Sequence, residues 1–314
     1  VLRLCIDRVR QWMREHPECR IFSVAQNDWY GYCQCPACRA VDEAEGSHAG
    51  SLLRFVNAVA DAIREEFPQN RIHTFAYLYG RKAPRLTRPR DNVIIRLCNI
   101  ESCMAHPIEA CAYAVPRIDV LTATAGPFEP CGQAFLRDLR DWSGMAHNLY
   151  IWDYAVNFAH YLLPFPNLAA AQRNLQLFRD CGVTGVFEQG NYAPGAASAF
   201  CTLKIYVLSR LLWNPDEPIE RLVRTFVEGY FSKAAAPEVM TALAITHQAV
   251  ANAHMSLYDQ PDAPYLDEEW LQRADSHLAA AQAKAPGQPY RDRIARERLS
   301  YAYALLTRLT MDAP

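Results

Sequence analysis

The chain has 314 residues, of which 51% are hydrophobic and 21% charged, with a formal net charge of −2. That composition is ordinary for a soluble globular protein, and 314 residues suffice for one large domain or for a domain plus a helical appendage. A charge so near zero argues against electrostatic capture of nucleic acid or of an anionic membrane, and no apolar run approaches the roughly 20 residues needed to span a bilayer.

The opening, VLRLCIDRVRQWMREHPE, reads as an amphipathic helix from about Leu4 to Glu15. It has no initiator Met and none of the basic, apolar and small-residue segments of a signal peptide, so the natural start is expected upstream. IFSVAQND follows as a short strand ending in polar residues, then a cysteine-rich loop, then SLLRFVNAVADAIREEF with apolar residues at helical spacing. RIHTFAYLYG is a second strand, closed by a basic, Pro-broken loop from Arg81 to Arg90 that reads as solvated surface. NVIIRLCNIES is a third strand, and a long irregular stretch then leads to a helix around Phe135 to Met145. NLYIWDYAVNF is a fourth strand, NLAAAQRNLQLFRDCG a helix stopped at Gly182, and VTGVFEQGNY a fifth strand. AFCTLKIYVLSRLLWNP reads as a further helix ended by Pro215, and four more amphipathic helices follow.

Strands alternating with helices predict a parallel sheet covered on both faces. Each strand ends in polar or aromatic residues, which is where a (β/α)8 barrel carries its chemistry. The expected fold is therefore α/β, a TIM-like barrel represented by its C-terminal strands: residues 1–215 form that part and residues 216–314 an α-helical appendage. A closed barrel needs eight strands, so three are expected upstream; an open doubly wound sheet is the alternative.

Eleven cysteines, an odd number, do not look like a disulfide framework. Cys33, Cys35 and Cys38 place three soft ligands within six positions, a pattern suited to a structural zinc that pins the loop after the first strand. Cys103, His106, Cys111 and His48 are candidates for the fourth ligand. No HExxH pair, phosphate-binding glycine loop or GxSxG elbow is present.

Several ordered segments together, SVAQNDWYGYCQCPACRAVDEAEGS, TFAYLYG, NVIIRLCNIESCMAHPI, LYIWDYAVNF with PFPNL, GVFEQG, and YVLSRLLWNP with FVEGYF, carry a family likeness. From about Leu4 to Phe231 the chain resembles the family catalogued as domain of unknown function 4838, which overlaps glycoside hydrolase family 163. The resemblance implies an endo-β-N-acetylglucosaminidase acting on complex N-glycans of a glycoprotein. It also implies a retaining reaction assisted by the substrate's own acetamido group, no cofactor required for catalysis, and an exported or periplasmic protein.

Such chemistry needs one carboxyl group to protonate the leaving oxygen and another to orient the acetamido group. Glu101, after the apolar strand VIIRLCNI, is the expected acid, and Asp28, beside Asn27, the expected acetamido partner. Trp152, Asp153 and Tyr154 suit a sugar-binding wall, with an aromatic face for the pyranose and a carboxylate for its hydroxyls. Glu188 in FEQG is a further acid or hydroxyl clamp, and Tyr77 a donor to the acetamido oxygen. The rival readings are a non-catalytic carbohydrate-binding protein and a zinc-stabilised interaction module on the same scaffold.

Overall fold

The computed structural model describes residues 1–111, 114–119, 124–192 and 197–311, and the chain divides into two compact units. The first comprises residues 1–99, 114–153 and 178–187; the second comprises residues 100–113, 154–177 and 188–314.

The first unit is built on a sheet. Strands β1 (Ile21–Ser23), β2 (Arg71–Ala76), β3 (Val93–Cys98), β6 (Leu149–Tyr154) and β7 (Val183–Gln189) lie side by side in that order, as a curled half-barrel of five parallel strands. The order rises without a reversal. A doubly wound sheet reverses its strand order at a switch point, so that alternative is set aside, and the described residues form a half-barrel rather than a closed barrel of eight.

The register divides the side chains between two faces, because paired residues in a parallel sheet share a face. Ile72, Ala76, Val93, Ile95, Leu97, Leu149 and Ile151 occupy one set, each at most 1% exposed. Helix α3 (Ala49–Ile63) packs against β2 and β3, and α1 (Leu2–Glu15) packs on α3. The opposite set contains Phe75, Arg96 and Tyr150 in one row and Cys98 with Trp152 in the next.

Two features depart from the expected elements. The cysteine-rich loop contains a helix, α2 (Pro36–Glu45), with Cys35 at its N-cap and Pro36 in its first turn, a position that spares the missing N–H. The stretch read as irregular contains an antiparallel ribbon of β4 (Ala114–Asp119) and β5 (Thr124–Pro130), followed by α4 (Cys131–Ser143). The prolines in both strands obscured it, since proline removes a ladder donor and survives only at edges and bulges. The register shift between Pro116 and Ile118 is such a bulge.

The basic loop is held by its own ionic groups. Glu45 is 1% exposed. Burial would raise its carboxyl pKa, but hydrogen bonds from Thr87 Oγ1, the Thr87 and Leu86 amides and Arg54 bring it down to about 2. Arg81 pairs with Asp138 at 2.7 Å, and Arg90 with Asp61 at 2.9 Å.

The second unit is helical. Helix α5 starts within it (Leu168–Asp180), and α6 (Cys201–Trp213), α7 (Ile219–Tyr230), α8 (Ala236–Ala249), α9 (Glu268–Lys284) and α10 (Gln288–Met311) follow. Val227, Phe231, Val239, Leu271, Leu278 and Tyr301 form its interior, each at most 1% exposed. Tyr301 shares a 2.6 Å hydroxyl hydrogen bond with Thr246 on α8. Among the described residues no helix is long and apolar enough to cross a membrane.

Beyond α5, Gly182 takes φ of +75°, a left-handed turn that glycine adopts without strain. Gly185 on β7 is glycine for a different reason: a Cβ there would sit 2.8 Å from the ring of Tyr150 on β6. That ring has little room to retreat, because the Arg96 guanidinium lies over it at 5.7 Å. Gly185→Ala should therefore cost about 1–3 kcal/mol in denaturant unfolding, and Tyr150→Leu should recover part of the loss. An unchanged unfolding midpoint in Gly185→Ala would contradict the close β6–β7 approach.

Candidate active site

Parallel strands deliver their C-terminal ends to one edge, and the loops leaving that edge carry most of the residues singled out from the sequence. Each unit contributes its own set.

In the first unit, Asn27 and Asp28 occupy the loop after β1, and both are exposed. Trp29 and Tyr30 follow at 59% and 74% exposure, leaving two aromatic faces open to solvent. Gln26 ties this loop to the end of β2 by donating to the Tyr77 carbonyl at 3.1 Å. Immediately after Tyr77 the backbone turns through Leu78 at φ 47°, a left-handed conformation that costs a β-carbon-bearing residue about 1 kcal/mol.

A second pairing at this edge joins β3 to β6. Asn99 Nδ2 donates to Asp153 Oδ1 at 3.0 Å, and the Asn99 amide donates to the Trp152 carbonyl at 3.0 Å. Both side chains are buried, Asn99 at 1% and Asp153 at 7% exposure. Asn99 Oδ1 is an acceptor without a hydrogen-bond partner among the described residues. A buried amide acceptor of this kind is usually satisfied in a native structure.

The opposite set of side chains carries an aromatic shelf. The Trp152 ring stands 4.5 Å from Phe187 on β7 and 5.4 Å from Phe75 on β2, and the Arg96 guanidinium lies 5.7 Å from its centroid. Trp152 is half-buried and Phe187 exposed. Among the described residues Arg96 Nε has no hydrogen-bond partner, and burial lowers the pKa of the guanidinium. His73, next along the same face, donates or accepts at Nδ1 with Ser23 Oγ at 3.0 Å. Burial, helped by the Arg96 charge, depresses the His73 pKa to about 4.

Also in this unit, the Sγ atoms of Cys33, Cys35 and Cys38 all lie within 4.8 Å of one another. The Cys35 thiol is lowered by the Cys38 backbone N–H at the start of α2, the environment that favours thiolates. Its neighbours Cys33 and Cys35 push Cys38 up to about 12, because three crowded sulfurs resist losing their protons together. His48, 7% exposed, is pinned at Nδ1 by Asp42 at 2.8 Å and stacked on Tyr32 at 3.7 Å. Its Nε2 is buried without a hydrogen-bond partner among the described residues.

In the second unit, Glu101 sits exposed on the loop after β3, and Tyr154 is 5% exposed with its ring 5.6 Å from Phe158. Glu188, half-buried on β7, lies within electrostatic reach of Lys204 on α6. The Lys204 ammonium donates to the Ala155 and Phe165 carbonyls at 2.7 and 2.8 Å. Burial lowers its pKa to about 8, against the favourable fields of Cys201 and Glu188. The donor atoms of Cys103, His106 and Cys111 also lie within 4.8 Å of one another.

Arg96 and Lys204 were given no site role from the sequence. A lone cation inside VIIRLC and another inside CTLKIYVLSRLL were the available signals, since a charge on an otherwise apolar face needs a specific partner.

The chain matches the family described as Domain of unknown function (DUF4838) over residues 1–243. No curated protein matches it. Among solved structures it is similar to a GH138 enzyme targeting pectin rhamnogalacturonan II, with 11% identity and a TM-score of 0.47. That alignment covers 96% of this chain and 50% of the other, so the chain spans half the length of that enzyme.

His73 supplies a pH test of this face. Above about 6.5 it is neutral whether the chain is folded or not; between about 6.5 and 4 the unfolded chain takes up a proton that the folded one refuses. Stability should thus fall on acidification across that window, by an amount on the order of 3 kcal/mol at most. His73→Gln should lose this part of the acid dependence in denaturant titrations at pH 7 and pH 4.5. An identical acid slope in parent and variant would contradict it.

Proposed function

The chain belongs to the DUF4838 family, and we propose that it is a glycoside hydrolase acting on N-acetylglucosamine-containing glycans. The observation that carries this reading is the half-buried Trp152 shelf at the strand ends, next along β6 to the buried Asn99–Asp153 pair. An indole face covers the apolar C–H face of a pyranose, while the carboxylate takes up its hydroxyl hydrogens. The finer reading, an endo-β-N-acetylglucosaminidase that retains configuration, follows the resemblance to glycoside hydrolase family 163 drawn from the sequence motifs.

In that mechanism the acetamido carbonyl oxygen attacks the anomeric carbon as the glycosidic bond breaks. Glu101 gives its proton to the departing oxygen, and Asp28 holds the acetamido N–H as positive charge develops on the oxazolinium ring. Water then opens the ring, giving its proton to Glu101, and the acid is restored. Asn27 and Tyr77 steady the acetamido group; Trp152, Asp153, Tyr154 and Glu188 bind the sugar. No cofactor is required. A structural zinc on Cys33, Cys35 and Cys38 would fix the loop that carries Asp28. His48, whose Nδ1 is held by Asp42, is one candidate for the fourth ligand.

The test is hydrolysis of a complex N-glycan by the full-length protein, followed by mass spectrometry of the released reducing end. Asp28→Ala and Glu101→Ala should each lower kcat by about 10²- to 10⁴-fold, whereas Trp152→Ala should chiefly raise KM. If both carboxylate variants turn over at the parent rate, the catalytic assignment falls. Glycan binding by the parent without turnover would favour the carbohydrate-binding alternative.

A further inference from the structure

The loop after β3 holds a second cluster that the glycan reading does not use. Cys103, His106 and Cys111 bring three donor atoms within 4.8 Å of one another. His106 Nδ1 lies 3.3 Å from Cys103 Sγ and 3.8 Å from Cys111 Sγ. In tetrahedral zinc with bonds of about 2.0–2.3 Å, donor atoms stand roughly 3.3–3.8 Å apart, so these separations are the edges of a coordination tetrahedron. Both cysteines are buried, at 2% and 4% exposure.

The imidazole is already set for the task. Its Nε2 stands 3.0 Å from the Ala251 carbonyl, which can only accept, so Nε2 carries the proton and Nδ1 turns its lone pair toward the two sulfurs. A backbone carbonyl fixing the tautomer from behind is the usual outer-sphere partner of a metal-bound histidine. The segment supplying that carbonyl is itself docked, because the Met104 amide donates to the Met255 carbonyl at 2.9 Å. On its other side the loop is tied to α5, where Asn174 Oδ1 accepts from the Ile108 amide at 2.9 Å.

We infer that Cys103, His106 and Cys111 form a second zinc site, distinct from the Cys33 cluster, with water in the fourth position. Two thiolates and an imidazole are the donor set that selects zinc over magnesium or calcium. Binding converts two thiols and one divalent ion into a neutral bis-thiolate complex and releases two protons to solvent. No electron moves. The site begins two residues beyond Glu101, so the metal serves as a positioning group for the loop that bears it. The inference stands on the cluster's own geometry, whatever the chain hydrolyses.

The experiment uses the full-length protein carrying Cys33→Ser, Cys35→Ser and Cys38→Ser, reduced and then titrated with cobalt(II) as the probe. One cobalt per chain should bind, with a near-ultraviolet thiolate-to-cobalt charge-transfer band. Adding Cys111→Ser should abolish the band, and Cys111→His should keep the metal while weakening it. Zinc counted by plasma mass spectrometry in the parent should be two per chain, falling to one in Cys103→Ser/Cys111→Ser. The proposal is overturned if the reduced triple variant keeps its circular dichroism yet shows no band, or if the parent's zinc count is unmoved by Cys103→Ser/Cys111→Ser. It is equally overturned if thiol counting shows Cys103 and Cys111 joined as a disulfide in freshly purified protein. Loss of glycan hydrolysis with cobalt binding intact would count against the proposed reaction and leave the metal site standing.

Discussion

Backbone pairing between parallel strands governs what every other part of the first unit can do. Each strand of the order β1, β2, β3, β6, β7 spends its amides and carbonyls on its neighbours, so it can end only where the sheet ends. The loops that leave this edge begin with no ladder to hold them. Scattered backbone contacts such as Asn99 N–H to the Trp152 carbonyl hold them in part, and the side chains that add to these are of three kinds. Amides bridge strand ends, as in Gln26 to the Tyr77 carbonyl and Asn99 to Asp153. Buried carboxylates gather backbone N–H groups, as Glu45 does for the basic loop. Sulfur clusters stand within a few residues of Asp28 and of Glu101.

The recurrence of that last device ties the two proposals together. Loops that carry acids for chemistry are ordinarily the most mobile parts of a fold, yet catalysis needs them held to fractions of an ångström. Hydrophobic packing could hold them only at the expense of the open face a sugar requires. A small tetrahedral centre offers rigidity in few residues and leaves the neighbouring carboxylate exposed to substrate. Cys33-x-Cys35-x-x-Cys38 and Cys103-x-x-His106-x4-Cys111 both have the compactness for this.

The sequence revealed the sheet better than the site. Five strands were legible because VIIRLC, LYIWDY and RIHTFA are short, β-branched or aromatic, and bounded by turn residues. Gly182 marked the end of α5 through the same chemistry it shows in the fold. The β4–β5 ribbon was hidden by its prolines, and α2 by the cysteines that surround it, although Pro36 after Cys35 was an available start signal. At the strand ends, residue type pointed to Asp153 and Trp152, but nothing local could pair Asp153 with Asn99, 54 positions away. The grouping of Cys103 with His106 and Cys111 was equally illegible. Spacing permitted it, while the tautomer that makes it chemically meaningful depends on the Ala251 carbonyl, far along the chain.

Direct evidence on where the sugar rests would come from a crystal structure of the full-length protein soaked with the thiazoline analogue of N-acetylglucosamine, a mimic of the oxazolinium intermediate. The account predicts the ring stacked on Trp152, with the thiazoline nitrogen at Asp28 and a sugar hydroxyl hydrogen-bonded to Asp153. A thiazoline bound elsewhere in the molecule, with Trp152 and Asp153 untouched, would contradict it.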